Sequence, residues 1–254
     1  ENIKLKDPVW MEWRKLELVA DVFMLPKNFY NSLNEVFDKV EYPVADIILN
    51  ILWASEVAMD IDDKDLWTLM IDIWNNQTSY VVYEEGYPLA YGVLPIWWED
   101  VTKDISIWMQ VDIKEAEKIK REKWAILLDS EKTNDETLDI WFLSEIISAR
   151  YEQIFGKINE TLEKIWRDGK LPWWAILIWW GSKMRNLDRL AKDMFKFASF
   201  YGKDKVLKAW DLSTNTQFVN CLGTYVWSNK YSHQKSSGWS FDLSGFVWTS
   251  WIKK

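Results

Sequence analysis

A single stripe of apolar residues in the second half of the chain constrains the fold more than any other feature. The residues of this stripe recur at spacings of 3, 4, 4, 3, 4, 4 and 3: Ile140, Leu143, Ile147, Tyr151, Ile154, Ile158, Leu162 and Ile165. This period is typical of an amphipathic α-helix. We therefore expect a helix over residues 137–167, about 45 Å long at roughly 1.5 Å per residue.

Shorter patterns predict the other elements. Helical spacing of apolar residues predicts four helices before residue 75, over 13–23, 29–40, 44–52 and 66–73. Runs rich in β-branched and aromatic residues predict strands over 79–83, 89–94, 105–111, 124–128, 174–180, 206–211 and 246–252. The first two of these strands flank an acidic turn containing Gly86, which indicates a hairpin. A further helix is expected over 183–201, and a β or irregular tail from residue 214.

These elements predict an α+β fold that is helix-rich, with a small mixed sheet and one long amphipathic helix. We expect a helical region over residues 1–75, a hairpin and strand region over 76–130, and the long helix followed by an α/β region over 131–254. The chain has 254 residues, 48% of them hydrophobic, which is enough to bury a core. No apolar run approaches the roughly 20 residues of a membrane-spanning helix, and no secretory leader is evident. Cys221 is the single cysteine, so no internal disulfide is expected.

Several kinds of chemistry lack their usual signatures. Neither a Gly-x-Gly-x-x-Gly segment nor a phosphate loop occurs, so nucleotide binding by those two routes is not expected, and no cofactor is predicted. His233 is the only histidine, which leaves no paired zinc-ligand spacing and no support for a Ser-His-Asp centre. The acidic residues of 60–65 do not fit a calcium loop, because its sixth and twelfth positions are Asp65 and Ile71. The start of a helix explains this acidic cluster better.

Charge and tryptophan content limit the partners. The net charge of −8 argues against a non-specific nucleic-acid coat, although an acidic wall could let DNA slide past. The chain contains 20 tryptophans but only 9 glycines, and tryptophans stand in pairs at 97–98, 173–174 and 179–180. We interpret the tryptophans as filling the core and subunit interfaces, which favours a homo-oligomer.

Residues 80–95 combine an apolar strand, an acidic turn and the ending Ala-Tyr-Gly-Val-Leu-Pro. This hairpin resembles the wing hairpin of the portal (upper collar) proteins of small short-tailed phages. Later segments are similar to that family's strand and C-terminal motifs: 172–178, Phe197-x-x-Phe200-x-Gly202 with Val206-Leu207, Tyr225-Val226, and Gln234-Lys235-x-x-x-Trp239. The matches are collinear over roughly residues 66–246, although the family's Leu-Gly-Ile-Asn-Asn ending is missing.

The portal resemblance implies a dodecameric ring in a phage head–tail connector, located in the virion or in the host cytoplasm. The genome would pass along the long helix, and Lys157, Lys164 and Arg167 are the channel-facing candidates for passing contact with double-stranded DNA. The alternative is that these charges coat a solvated helix face. The ring hypothesis requires the apolar stripe of the long helix to pack against copies of itself.

A second resemblance is to the ribosome-inactivating N-glycosidases. It is carried by Thr68-Leu69-Met70-Ile71-Asp72-Ile73-x-Asn75 with Tyr80-Val81-Val82, by Ser148-Ala149-Arg150-Tyr151, and by Trp180-Gly181. It implies a catalytic pocket formed by Tyr80, Glu145, Arg150 and Trp180. That family needs a Glu three residues before the Arg, where this chain has Ile147, and Glu145 falls on another face of the helix. The sequence therefore favours a structural protein over an enzyme, and a globular binding protein, natural or designed, is the third alternative.

Overall fold

The computed structural model describes residues 12, 15, 24–42, 44, 47–74, 77–96, 98–123, 125–127, 138–165, 174–178, 184–202 and 218–232. The chain divides into two compact units, Glu1–Ile47 and Ile48–Lys254. The first unit contains helix α1 (Lys27–Lys39), which confirms the helix expected over 29–40 and has no buried residue.

The second unit contains seven helices and five strands within the described residues. In chain order these are α2 (Asn50–Ala58), α3 (Ile61–Asp65), β1 (Thr68–Ile73), β2 (Thr78–Glu84), β3 (Tyr87–Leu94), α4 (Trp98–Met109), α5 (Ile113–Lys123), α6 (Leu138–Ile165), β4 (Trp174–Ile178), α7 (Leu187–Phe195), β5 (Ala198–Tyr201) and α8 (Val219–Ser232). A mixed helix-and-strand chain with a small mixed sheet is thereby confirmed. The division into three regions at residues 75 and 130 stays a prediction.

The strands form a mixed sheet in the order β3-β2-β1-β4-β5. β1 pairs antiparallel with β2 and parallel with β4, and β4 pairs parallel with β5. After β1 the chain continues to β2, on the side of β1 away from β4. After β4 it continues to β5, on the side of β4 away from β1. The direction of winding therefore changes between β1 and β4, and such a switch point opens a crevice at the carboxyl ends of the two strands.

Helices cover both faces of the sheet. Leu69, Ile71 and Ile73 of β1 belong to a core cluster with side chains of α4, α6 and α7. Met70 belongs to a second cluster, formed with α2 and α8. A central strand buried on both faces has no alternation in its sequence, because every position is apolar or enclosed. For this reason the helix predicted over 66–73 is wrong, and residues 68–73 are a strand.

The long helix is confirmed, but its packing is not the one that the ring hypothesis requires. α6 buries Leu143, Ile147, Tyr151, Ile154 and Ile158 in the same cluster as β1, within the second unit. The apolar stripe is therefore covered by the sheet of its own chain. It is not free to pack against copies of itself around an axis.

Two predicted β segments are helical. In α4, Ile105 is buried whereas Ile107 and Trp108 are 70% and 63% exposed, so the alternation over 105–111 does not mark two faces of a strand. The helix instead buries Val101 and Ile105, which lie one turn apart. Residues 219–232 form α8 in place of the β or irregular tail that their composition predicts.

The remaining predictions meet mixed outcomes. The helix expected over 13–23 lies almost wholly outside the described residues, and the one expected over 44–52 begins only at Asn50, as α2. The hairpin is confirmed as β2 and β3, joined by Glu85 and Gly86 with φ of 53° and 85°. The strand expected over 174–180 is confirmed over Trp174–Ile178 as β4, and residues 179–180 lie outside the described residues. The helix expected over 183–201 ends earlier, because Lys196 adopts a left-handed φ of 64° after α7. Residues 125–127 contain an isolated bridge from Ala125 rather than a strand, and the strands expected over 206–211 and 246–252 lie outside the described residues.

The acidic cluster of residues 60–65 starts a helix, as its sequence predicts. The Asp60 side chain accepts a hydrogen bond from the Asp63 backbone N–H at 2.8 Å, and the Asp63 side chain accepts one from the Asp60 N–H at 3.0 Å. This reciprocal pair is a capping box at the N-terminus of α3.

The described helices include none that is both long enough and apolar enough to cross a membrane.

α8 packs closely against α2. A Cβ added at Gly223 would lie 2.2 Å from the carbonyl oxygen of Trp53, so the two helices approach to backbone contact there. At the end of α8, Lys230 pairs with Glu56 of α2 at 2.8 Å. These contacts fix the N-terminal turn of α8 beside the carboxyl end of β1.

Candidate functional site

A buried carboxylate lies at the carboxyl end of β1, beside the switch point of the sheet. Asp72 is the penultimate residue of this strand, in register with Ile178 at the end of β4, and its side chain is fully buried. Ionisable side chains are rarely buried without a role or a partner. Asp72 is therefore the first residue to consider as functional.

The two oxygens of Asp72 have different surroundings. Oδ2 accepts hydrogen bonds from Asn220 Nδ2 at 2.9 Å, from Trp74 Nε1 at 2.5 Å and, more weakly, from Asn50 Nδ2 at 3.3 Å. Oδ1 is buried and finds no hydrogen-bond partner in the part of the chain that the structure describes. A buried acceptor left unsatisfied costs about 1–3 kcal/mol, so Oδ1 is the atom available to a ligand.

The local fold explains how these groups meet. Asn50 is the first residue of α2, and Asn220 is the second residue of α8, so the N-termini of two helices begin beside Asp72. Helix N-termini carry partial positive charge and favour anions. Trp53 Nε1 donates to Asn220 Oδ1 at 2.9 Å, which orients the Asn220 amide with its NH₂ group toward Asp72.

The charge of Asp72 depends on pH near neutrality. Burial raises the pKa of the Asp72 carboxyl to about 6, against the opposing effect of the hydrogen bonds from Asn220 and Trp74, which favour the charged form. At pH 7 and above the carboxylate is thus mostly ionised. It can then attract a cation, or a ligand that brings one.

The pocket implied by the N-glycosidase resemblance is not assembled as a unit. Tyr80 is buried in β2, and its hydroxyl donates to Thr161 Oγ1 at 3.0 Å. Glu145 and Arg150 lie together on α6 in a groove of about 410 Å³ between α4 and α6, a groove that Tyr80 does not line. Trp180 lies outside the described residues.

Arg150 is held by an ion pair across this groove. Its Nη2 and Nε atoms donate to Asp104 Oδ2 of α4 at 2.5 Å and 2.9 Å, and Nη1 donates to Gln153 at 2.8 Å. Both partners of the ion pair are 22% exposed. The observed role of Arg150 is to join α4 to α6.

We predict a measurable coupling between Arg150 and Asp104. In a double-mutant cycle with Arg150→Ala and Asp104→Ala, the coupling free energy of unfolding should be about 1–2 kcal/mol, because two charge-assisted hydrogen bonds join the pair and both side chains are half-buried. The exposed pair Lys157–Glu160 on α6, 3.0 Å apart, is the matched control and should give about 0.5 kcal/mol or less. Urea denaturation of the four variants of each cycle measures both values. Additive effects of Arg150→Ala and Asp104→Ala would contradict the prediction.

The channel-facing candidates have ordinary surroundings. Lys157 and Lys164 are exposed on α6, and Lys157 is paired with Glu160 of the next turn. Arg167 lies outside the described residues. The two lysines are compatible with the alternative that these charges coat a solvated helix face.

Comparison with known proteins identifies the family. A family model described as "Cell division protein FtsA" matches residues 69–223, which is more than half of the chain. The chain belongs to the FtsA family. The matched segment begins within β1 and ends within α8, so it includes Asp72, Asn220 and the whole sheet except Thr68.

Individual FtsA proteins show the extent of the similarity. The chain is 26% identical to FtsA of Bacillus subtilis over 206 residues, which cover 76% of this chain and 46% of that protein. It is 24% identical to FtsA of Pseudomonas aeruginosa over 261 residues, covering 97% of this chain and 61% of that protein. The chain thus spans about half the length of the FtsA relatives that it matches.

Solved structures share the fold of this FtsA-family chain. MreB 5 of Spiroplasma citri bound to AMPPNP superposes with a TM-score of 0.66 at 13% identity, over 85% of this chain and 68% of that one. The PilM–PilN type IV pilus biogenesis complex gives a TM-score of 0.59 at 17% identity, over 79% and 57%. At these identities the likeness shows a common fold.

Membership of the FtsA family overturns both functional resemblances. The portal hypothesis is wrong, and with it the phage head–tail connector, the virion location and the passage of DNA, because the family match covers the same hairpin and long helix that carried the portal resemblance. The N-glycosidase hypothesis is wrong as well, since its first motif, over residues 68–75, lies almost wholly in β1 of the FtsA match.

Sequence reasoning missed Asp72, Asn50 and Asn220 as site residues. One signal for Asp72 was present: a lone carboxylate stands inside the run Thr-Leu-Met-Ile-Asp-Ile, just before a turn. A charged residue in a fully buried strand needs a partner or a role. The two asparagines carried no comparable signal, because only the packing of α2 and α8 brings them to β1.

Proposed function

We propose that the chain is an FtsA-type cell-division protein that binds an adenine nucleotide at the carboxyl ends of β1 and β4. The observation that carries the nucleotide site is the buried Asp72 at the switch point of the sheet, with Oδ1 left without a partner among the described residues. In open sheets of this kind, ligands bind at that crevice.

Two further observations support an adenine nucleotide as the ligand. The MreB 5 structures of the same fold are bound to AMPPNP and to ADP, both of which carry adenine and phosphate groups. The N-termini of α2 and α8 begin at Asp72, and helix N-termini favour phosphate. The role in cell division is inferred from the name of the family.

In this proposal each residue has a distinct part. Asn220 and Asn50 hold Oδ2, and the α2 and α8 N-termini stabilise the ionised form, which leaves Oδ1 facing the ligand. A magnesium ion carried by the nucleotide would be held by Oδ1 and would neutralise charge on the phosphates. The sheet and α8 exclude water from the carboxylate.

Titration with ATP and ADP in the presence of Mg²⁺ tests the nucleotide site. Calorimetry with up to about 10 mM nucleotide detects binding as weak as about −3 kcal/mol. We expect binding by the 254-residue chain, and a Kd at least about tenfold higher for Asp72→Ala, which is a loss of about 1.4 kcal/mol. The control Asp104→Ala removes a carboxylate on the opposite face of the sheet and should leave the Kd unchanged.

Two results would contradict this proposal. One is the absence of any heat of binding for either nucleotide, both in the parent chain and in a variant that lacks the Trp74 side chain. The other is a Kd that does not change in Asp72→Ala while circular dichroism shows that the variant is folded.

Self-association, which the tryptophan content favours, remains part of the proposal. Light scattering of the chain with and without nucleotide tests it.

A further inference from the structure

The residue that follows β1 places an aromatic ring beside Asp72. Side chains at positions i and i+2 of an extended chain lie on one face, so Trp74 lies on the same face of the sheet as Asp72. The Trp74 indole N–H donates to Asp72 Oδ2 at 2.5 Å. The ring is half-buried and stands at the carboxyl end of β1, where the proposed site opens.

The backbone at this position is also engaged. The Trp74 N–H donates to the Gln77 carbonyl oxygen at 2.9 Å, which closes the turn between β1 and β2. Turns that hold phosphate close to a strand end depend on glycine, because a residue without a side chain lets the backbone approach the ligand. Here the backbone N–H of residue 74 is engaged by the turn, and residue 74 carries an indole ring where such turns have no side chain.

We propose that the Trp74 side chain partly closes the nucleotide site, so that the nucleotide phosphates and the indole ring compete for the space beside Asp72. This inference rests on the proposed nucleotide function. Binding then requires the indole to leave Asp72 Oδ2, which breaks one hydrogen bond and exposes an aromatic ring. Trp74 therefore lowers the affinity of the site for the nucleotide.

Removal of the ring tests this inference. Trp74→Gly opens the space and should lower the Kd for Mg²⁺-ADP at least about tenfold, because the ligand no longer displaces the indole. Trp74→Phe keeps most of the ring volume without the N–H donor, and its Kd should stay within about threefold of the parent, a difference below about 0.7 kcal/mol. Trp108→Ala, which removes an exposed tryptophan from α4, is the control for tryptophan removal in general.

The outcomes separate the two proposals. Tighter binding by Trp74→Gly, with Trp74→Phe and Trp108→Ala near the parent, supports the closed site. Equal or weaker binding by a folded Trp74→Gly variant, when the parent does bind, overturns the role of Trp74 and leaves the nucleotide site intact. If neither the parent nor Trp74→Gly binds ADP or ATP, the nucleotide site itself is wrong, and the role of Trp74 falls with it. A variant with Trp74→Ser replaces Trp74→Gly if circular dichroism shows that the glycine variant is unfolded.

Discussion

Replacing Gly223 with alanine is expected to lower the free energy of unfolding by about 3 kcal/mol, the upper end of the usual range for overpacking. The new Cβ would lie 2.2 Å from the carbonyl oxygen of Trp53 and 2.9 Å from the backbone nitrogen of Ala54. Both atoms belong to the backbone of α2, so no side chain can rotate away to make room. The helices α2 and α8 must separate, and the surrounding core loses contacts as they do.

The same substitution at Gly156 is the matched control. Gly156 lies inside α6, and a Cβ built there meets nothing within 4 Å. Alanine is better than glycine in a helix by up to about 1 kcal/mol, so Gly156→Ala should raise the stability of the chain by that amount. Urea denaturation of the parent and both variants gives the comparison. Equal effects of the two substitutions would show that α2 and α8 are not in backbone contact.

The close crossing at Gly223 also positions the proposed site. Asn220 lies one turn before Gly223 on α8, and its amide reaches Asp72 on β1. Displacement of α8 should therefore weaken nucleotide binding by the folded fraction of Gly223→Ala. Gly156→Ala should leave the Kd of the parent unchanged, because α6 covers the other face of the sheet.

The sequence predicts those elements whose pattern has a single physical explanation. The apolar stripe from Ile140 to Ile165 keeps a 3.6-residue period, so its residues share one face only if the segment is a helix. The structure has α6 over Leu138–Ile165. The hairpin β2–β3 is likewise predicted by its acidic turn with Gly86. By contrast, residues 68–73 carry no period because both faces of β1 are buried, so a central strand resembles a short apolar helix.

Prediction of the site failed for two physical reasons. Asp72, Asn50 and Asn220 are far apart in the chain, and they meet only because α2 and α8 cross beside the end of β1. Sequence motifs for phosphate binding are rich in glycine. In this chain Trp74 follows β1, and Trp179-Trp180 follow β4, ahead of Gly181. Glycine patterns therefore do not mark either strand end at the switch point.

Asp72 is expected to make the chain less stable as pH rises from about 4 to 6. Burial raises the pKa of this carboxyl from 3.8 to about 6 in the folded chain. Between these two values the folded state keeps a proton that the unfolded state has already released, so the free energy of unfolding decreases with rising pH. The decrease ends above pH 6, and a pKa difference of about 2 corresponds to about 3 kcal/mol.

Asp72→Asn removes this dependence and should stabilise the chain at pH 7.5 by about 2 kcal/mol. The gain is smaller than 3 kcal/mol because the new NH₂ group replaces Oδ1 as a buried group without a partner. Urea denaturation of parent and variant from pH 4 to 8 measures the difference between the two curves. The difference between the two curves isolates the effect of Asp72, because other carboxyls titrate in both proteins.

Glu117 is one of these other carboxyls. Burial would raise its pKa, but hydrogen bonds from Lys120 and Arg121 lower the pKa to about 2. Its contribution to the free energy of unfolding is therefore lost as pH falls below about 4.5.

The same variant connects stability to the proposed function. A chain selected for stability alone would gain from asparagine at this position, because an ionised carboxylate is costly in a buried strand. If Asp72→Asn is more stable at pH 7.5 and has lost nucleotide binding, the carboxylate is retained for its ligand. A difference curve that stays flat between pH 4 and 7 would mean that Asp72 ionises in the folded chain as it does in water, and its Oδ1 atom would no longer distinguish this strand end as a binding site.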